Sequence, residues 1–385
     1  MIKNWTQKHI SGDPVIWMVV LMLSFLSILV VYSATGTLAY KMMDGNTEHY
    51  LFKHSGLVLL SLGAMWVAHK IDYKYYSKLS RLALWASVPL LIITWKYGIN
   101  INEANRWITI PLINQPFQPS DLAKLALIAN LASMLSKRQQ NIKDFKESFI
   151  PMILWCGVIC GLIAMTDFSS GILLFLTCLL VMFIGRVPVK YLMMLLMVGA
   201  LAGSLAMHFG QRWETVVSRV DKFFNSEEIP FQAEQSYIAI ATGGITGKGP
   251  GKSVRRNFLP HPYSDFIYAI IIEEYGFVGA IGVILLYLTL LYRGMRTVAK
   301  SDRAFGGLLS AGLAFALVLQ ALVNMGVAVG LGPITGLPLP LVSMGGTSLL
   351  FNGIALGIIL SVSKEEQNQP MDRKLKVNPS LSKAA

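Results

Sequence analysis

The sequence predicts an all-α, polytopic integral membrane protein: ten transmembrane helices, both termini cytoplasmic, and one long extracytoplasmic loop between the seventh and eighth helices. Three observations predict it. Of 385 residues, 54% are hydrophobic and only 14% are charged, where an ordinary soluble domain carries about 25% charged residues. Mean hydropathy is +0.54. Apolar segments approaching the roughly 20 residues that a helical span needs recur along the chain. Together these exclude a disordered chain, a secreted disulfide scaffold and an ordinary soluble enzyme.

The apolar segments fall at about 14–35, 51–69, 82–97, 119–135, 150–165, 169–184, 188–208, 266–292, 305–327 and 341–362. The third, fifth and sixth are short for a full span. The first follows Lys3 and Lys8 without a clear cleavage signal, so it reads as a retained anchor. Backbone polar groups in hydrocarbon must be satisfied within the chain, which makes the spans helices. The net charge of +12 would suggest nucleic acid in a soluble protein. Here most Lys and Arg fall in alternate connections, which the positive-inside rule makes cytoplasmic, and no nucleic-acid partner is implied. Even span number then puts both ends inside, in an inner, cytoplasmic membrane. Residues 1–363 form one membrane domain, and 364–385 a polar cytoplasmic tail expected to be disordered. Cys156, Cys160 and Cys178 lie in apolar runs and read as small hydrophobes.

Three outer segments exceed what a turn needs. Residues 36–50 are unremarkable. Residues 97–118 contain Arg106 beside Trp107. Trp107 alone would sit in an interfacial aromatic belt, and Arg106 could add a phosphate contact. Residues 209–265 form the largest polar region, and loops of this length are uncommon unless functional or disordered. Its aromatic residues favour short helices on or dipping into the membrane surface. The stretch from Gly243 to Arg256 is glycine-rich and cationic, with Lys248, Lys252, Arg255 and Arg256, and Arg219 lies upstream. Glycines allow close backbone approach, and amides with Lys and Arg bind phosphate oxygens. The plain alternative is a solvated surface loop. Gly251-Lys252-Ser253 mimics the end of a P-loop, but Thr246 stands where its first glycine belongs, so no nucleotide is expected.

Asp265 closes this loop where the eighth span begins. It is either a helix cap worth about 1 kcal/mol or an acid/base at the water–membrane boundary. Glu273 and Glu274 follow within the apolar span, with Glu273 about two helical turns below Asp265. A carboxylate at mid-helix costs about 2.5–3.5 kcal/mol on insertion scales, so both should pair with a cation or line a polar cavity. Lys124 in the fourth span is a candidate partner, although Asp121 at i−3 shares its face. Asp167 most simply caps the sixth helix. The stretch from Asn324 to Ser348, with Ser343 in it, is too rich in Gly and Pro to stay helical while still apolar. Such broken backbone must be buried in protein or face a cavity.

These stretches resemble the SEDS family (shape, elongation, division and sporulation), whose branches include FtsW, RodA and SpoVE. The resemblance rests on Arg106-Trp107, Gln118-Pro119-Ser120 through Lys124, Gln232 with Gln235-Ser236, and Gly243-Gly244 with Gly247 to Gly251. It continues through Leu259-Pro260, Ser264-Asp265-Phe266-Ile267, Glu273-Glu274-Tyr275-Gly276, Asn324-Met325-Gly326 and Leu337 to Ser348. Asp121, Met344 and Tyr263-Ser264 depart mildly from the family pattern. The ending looks more like the FtsW branch.

The resemblance implies a peptidoglycan glycosyltransferase polymerising lipid II at the outer membrane face in cell division, less so elongation. It also implies a class B penicillin-binding protein as partner, among other divisome or elongasome membrane proteins. Asp265 matches the family's extracytoplasmic aspartate. On this reading Asp265 is the general base, and the substrate is bound among Arg106, Trp107, Lys124, Arg219, Gln235, Ser236, Lys248, Lys252, Arg255, Arg256 and Ser343. A divalent cation, Mg or Mn, is a possible cofactor, with Asp265 its possible ligand. Asp121, Glu273 and Glu274 take structural ion-pair roles. The rival readings are a lipid II flippase or proton-coupled transporter, and another polyprenyl-phosphate sugar transferase.

Overall fold

The computed structural model describes residues 11–377 apart from 37, 39, 41–45, 102–103, 111–114, 210–212, 226–228 and 302. Lys3, Lys8 and Lys383, which entered the charge reading, lie outside the described residues. The helices are α1 Pro14–Ala34, α2 Thr47–Lys70, α3 Tyr73–Tyr97, α4 Pro119–Lys137, α5 Ile150–Thr166, α6 Phe168–Ile184, α7 Val189–Phe209, α8 Trp213–Phe224, α9 Phe231–Gly243, α10 Ile267–Lys300, α11 Ala304–Ala328 and α12 Gly346–Val377. Among the described residues, seven helices are long and apolar enough to cross a membrane: α1, α2, α3, α5 with its preceding π-helical turn, α10, α11 and the first part of α12. The protein is a multi-pass membrane protein.

The helices α4, α6 and α7 fall at the remaining predicted spans: α4 is polar, α6 is short, and α7 is apolar over its described part, Val189–Leu201. Helix α6 has only 17 residues. In α4, Asp121 and Lys124 lower the hydropathy. That helix is packed against α3, α11, α6 and α5, and the unbroken run from Ala126 to Ser133 is buried. Surrounded by protein, it needs little lipid-compatible surface.

Several boundaries differ from the sequence reading, and α10 among them runs on to Lys300. Helix α3 starts at Tyr73, where Asp72 accepts a hydrogen bond from Lys74 N at 3.0 Å. Its first two turns bury Tyr73, Tyr76 and Ser80 and leave Lys78 and Arg81 exposed, so the charged face masked a helical segment. Helix α12 starts at Gly346, five positions later than expected, because Met344 N is tied to Tyr263 O at 2.9 Å. It then runs past the expected boundary at 363, to Val377. The segment after α3 is also not a plain loop. Strands β1 Ile99–Ile101, β2 Ala104–Ile110 and β3 Gln115–Phe117 form a small antiparallel sheet in that order. Strands this short carry too little alternation to be read from sequence.

Two breaks in the helices organise the Asp265 end of the bundle. Helix α10 is interrupted at Gly276, whose φ is +68°. The residues after α9 fill that break. Lys248 N and Gly249 N donate to Glu273 O and Glu274 O, both at 2.9 Å, while Phe277 N and Val278 N donate to Gly244 O and Ile245 O at 3.0 and 3.2 Å. These four groups freed by the break thus find partners, as a low-dielectric setting requires.

The second break is the chain between α11 and α12, and side chains satisfy its carbonyls. Asn324 donates to Leu337 O at 2.7 Å, Gln320 to Pro338 O at 2.9 Å, Tyr287 to Pro340 O, and Ser27 to Val342 O at 2.8 Å. Leu337, Leu339, Leu341 and Val342 are buried. The expectation of buried irregular backbone from Asn324 to Ser348 holds for Leu337 to Ser343, whereas Asn324 to Ala328 stay helical in α11 and Leu331 is exposed.

A Cβ on Gly276 would run into Ile245 O and Gly247 N, in a backbone conformation that already disfavours other residues. Such strain costs about 1–3 kcal/mol, so Gly276→Ala should lower the thermal unfolding midpoint in detergent, with Gly282→Ala, which has open space, as the neutral control.

Candidate active site

A cavity of about 490 Å³ opens at the Asp265 end of the bundle. Its lining brings together Arg106 and Trp107 from β2, Asp121 and Lys124 from α4, Asp167 from the α5–α6 junction, and Arg219 from α8. Asp265 and its neighbours, and the irregular backbone before α12, complete it. These residues come from six separate parts of the chain.

Asp265 is not a helix cap. The N-cap of α10 is Phe266, with no side-chain cap bond. Instead Asp265 Oδ1 accepts from Ser264 Oγ at 2.8 Å. Its backbone is clamped from the second break. Asn324 Nδ2 donates to Asp265 O at 2.8 Å, and Ser343 Oγ donates to Ser264 O at 2.6 Å while accepting from Leu339 N at 2.8 Å. Ser343 therefore holds the Asp265 segment in place, and among the described residues it is not in the cavity lining. Burial pushes the Asp265 carboxyl above its usual range, and the Ser264 hydrogen bond with the charges of His261, Arg106 and Arg219 offsets only part of this. A carboxyl so raised is a better base.

The other two cavity carboxylates are committed. Asp121 pairs with Lys124 at 3.3 Å. Asp167 accepts from Ser170 N and Oγ at 3.2 and 2.8 Å, as the capping reading expects. It also pairs with Arg106 at 3.2 Å, a role sequence reasoning missed. Burial alone would raise Asp167, but Arg106, Lys124 and the Ser170 bonds outweigh it and hold the carboxyl below its usual range. Among the described residues, Asp265 is the cavity carboxylate outside any ion pair. Arg219 Nη1 donates to Ile334 O at 3.1 Å on the irregular backbone.

The glycine-rich loop is elsewhere. Lys248, Lys252, Arg255, Arg256, Gln235 and Ser236 do not line the cavity among the described residues. Lys248, Arg255 and Arg256 gather near Glu273 and Glu274 instead. Lys248 Nζ meets Glu273 Oε1 at 2.6 Å, and Ser253 Oγ, Val254 N and Arg255 N also donate to Glu273. Glu274 accepts from Ser33 Oγ and Ser253 N, and Arg256 reaches Ser33 O at 2.8 Å. Arg255 donates to Gln235 Oε1 at 3.2 Å, Ser236 Oγ donates to Ala328 O at 2.7 Å, and Lys252 is exposed. So the cation for Glu273 is Lys248, not Lys124, and the two-turn spacing of Asp265 above Glu273 does not apply. Asp265 precedes the helix, and its chain turns into the cavity while the glutamates face the loop. The charge pattern was visible in sequence, but which acids those cations would find was not.

The fold and site therefore define a polytopic helical membrane protein with a raised carboxylate in a charged cavity at one end of its bundle. A family model described as "Cell cycle protein" (FtsW/RodA/SpoVE) matches residues 13–368, and the chain belongs to this family. It is 33% identical over 364 residues to a probable peptidoglycan glycosyltransferase FtsW of Geobacter sp. (strain M18), covering 92% of this chain and 98% of that one. It is 31% identical over 373 residues to stage V sporulation protein E of Bacillus subtilis (strain 168), covering 93% and 99%. Its fold matches the rod shape determining protein RodA of Thermus thermophilus with a TM-score of 0.68 at 25% identity, covering 92% and 97%. It matches a polypeptide solved within a peptidoglycan synthase complex that coordinates polymerization and crosslinking with a TM-score of 0.72 at 25% identity, covering 92% and 98%.

Lys248→Met tests the structural assignment of the loop. Removing one partner of a buried pair costs about 3–5 kcal/mol, and the 30% exposure of Lys248 puts the loss at the lower end. The unfolding midpoint should fall, and adding Glu273→Gln should recover part of it. An unchanged midpoint would return Lys248 to the pool of ligand-binding cations.

Proposed function

We propose that this protein is a peptidoglycan glycosyltransferase of the bacterial inner membrane that polymerises lipid II, with Asp265 as general base. The carrying observation is that Asp265 lies in the shared cavity, clamped by Asn324 and Ser343, raised by burial and outside any ion pair among the described residues. Family membership and the FtsW relatives support the same activity. The topology proposed with it has ten spans, adding α4, α6 and α7 to the seven evident ones. Both termini are cytoplasmic, and the loop between α7 and α10 is extracytoplasmic. Cell division is the role the FtsW and sporulation relatives favour.

In this mechanism the Asp265 carboxylate accepts the proton of the acceptor sugar 4-hydroxyl as that oxygen attacks the donor anomeric carbon. The bond to undecaprenyl pyrophosphate breaks, and the diphosphate leaves with the electron pair. A diphosphate needs no proton to depart, so one carboxylate suffices. Arg106, Lys124 and Arg219, which share the cavity, stabilise the departing charge. Trp107 offers a flat apolar face. Lys248 ties the loop to α10, Arg255 ties it to α9 and Arg256 to α1, so these cations serve the site through its shape, and Lys252 is exposed.

Among the described residues, no three His, Cys, Asp or Glu side chains converge on a metal site. Mg or Mn beside a diphosphate takes only one or two protein carboxylates, with water and phosphate oxygens completing the shell, so Asp265 would hold such an ion together with the substrate, and no step is routed through it. A class B penicillin-binding protein as transpeptidase partner is part of the proposal, supported by the fold match to a polypeptide of a peptidoglycan synthase complex.

Asp265→Asn keeps the size of the side chain and removes its basicity. The purified variant in detergent, with its partner, should lose about 10²–10⁴-fold in lipid II polymerisation with an unchanged unfolding midpoint. Chain formation at the normal rate would sink the assignment, and absence of chains from the unsubstituted protein would favour a carrier. The pH profile is a second check. Asp265 works as the carboxylate, so activity is present above its pKa and lost as pH falls through it. The acidic limb of kcat/KM should lie above the ordinary Asp value of about 3.9. Ser264→Ala removes a bond that lowers the pKa and should move that limb further up.

A further inference from the structure

Helix α8, Trp213–Phe224, leaves apolar side chains partly to largely uncovered among the described residues. Val217, Val220 and Phe224 recur at i, i+3 and i+7, which places them on one helical face. They are 40%, 41% and 73% exposed, and Phe223 beside them is 37% exposed. Ser218 and Lys222 lie across the helix from the stripe, Asp221 flanks it beside Val217, and all three are exposed. An apolar stripe left bare in water is unfavourable by about 25 cal/mol per Å², so something outside the chain covers it.

The surrounding structure says what. Helix α7 ends at Phe209, four residues before α8 begins, and its exposed Met193, Met197 and Val198 belong to the apolar belt of a membrane-embedded bundle. Ile229 and Phe231, just after α8, are also exposed. The stripe thus lies in a stretch of chain flanked on both sides by exposed apolar residues. A polar face bearing both charge signs and an apolar face with phenylalanines are the pattern of a helix lying in the interface plane.

We infer that α8 is an interfacial helix whose Val217–Val220–Phe224 stripe is seated in the surface of the lipid bilayer. The seat has a structural consequence. Arg219 lies on the same helix and reaches Ile334 O at the cavity, so the lipid surface holds this cation at the mouth of the Asp265 cavity. The inference is independent of the reaction catalysed there.

The test uses the full-length protein in vesicles of phosphatidylethanolamine and phosphatidylglycerol. Single cysteines replace Val217, Ser218, Val220, Lys222 and Phe224 in turn and carry nitroxide labels. The native Cys156, Cys160 and Cys178 are buried, and the unsubstituted protein serves as the labelling blank. Accessibility is read with oxygen, which partitions into lipid, and with a nickel chelate, which stays in water. The oxygen-to-chelate ratio should be several-fold higher at 217, 220 and 224 than at 218 and 222. Equal chelate access at all five positions would overturn the inference by placing the helix in water. Exclusion of both reagents at 220 and 224 would overturn it by placing the stripe against protein.

Discussion

The constraint on which this structure depends is that no backbone polar group can be left unpaired at membrane depth. Helices satisfy it trivially, and a bundle of unbroken helices would offer no place for chemistry. This protein breaks the rule of continuous helix twice, at Gly276 and between α11 and α12, and repairs both breaks with hydrogen bonds from elsewhere. The repairs build the site. Asn324 illustrates the economy: one amide group donates to Leu337 O within the irregular segment and to Asp265 O across from it. The same side chain that makes broken backbone tolerable also fixes the reactive carboxylate.

Charge is partitioned by the same logic. Two polar clusters lie at one end of the bundle, and each is internally matched. Glu273 and Glu274 are enclosed by the glycine-rich loop, whose amides, Ser253 and Lys248 leave little negative charge unopposed. In the cavity, Asp121 and Asp167 answer Lys124 and Arg106. The carboxylate left over is Asp265. Its value as a base comes from that exclusion together with its burial, because a nearby cation bonded to it would hold its proton affinity down.

The arrangement also explains why a lipid-linked substrate suits the site. The cavity lining combines charged groups with the apolar Leu125, Ile128, Leu313 and Leu317, as two halves of one chemistry. An amphiphile with a diphosphate between a sugar head and an apolar tail matches both halves. Helix α8 adds a cation at the cavity mouth from an element with little protein packing of its own, so the position of Arg219 depends on whatever supports that helix.

Composition and apolar runs alone determined the membrane class and the approximate place of each span, because the hydrophobic requirement of a bilayer is local and additive along the chain. The Gly/Pro density before α12 announced irregular backbone for the same reason, and Asp265 stood out as a polar residue at a loop–span junction. Tertiary structure decided the pairings. Lys248 and Arg255 looked like phosphate binders because their chemistry permits it, yet they were spent on Glu273 and Gln235. Lys124 was within reason for Glu273 and went to Asp121, and Asp167 was read as a cap before Arg106 was seen beside it. The small sheet at 99–117 escaped because its strands are stabilised by one another and not by any pattern of their own. Which opposite charge a side chain meets depends on distances between segments far apart in sequence, and only the packed bundle sets those.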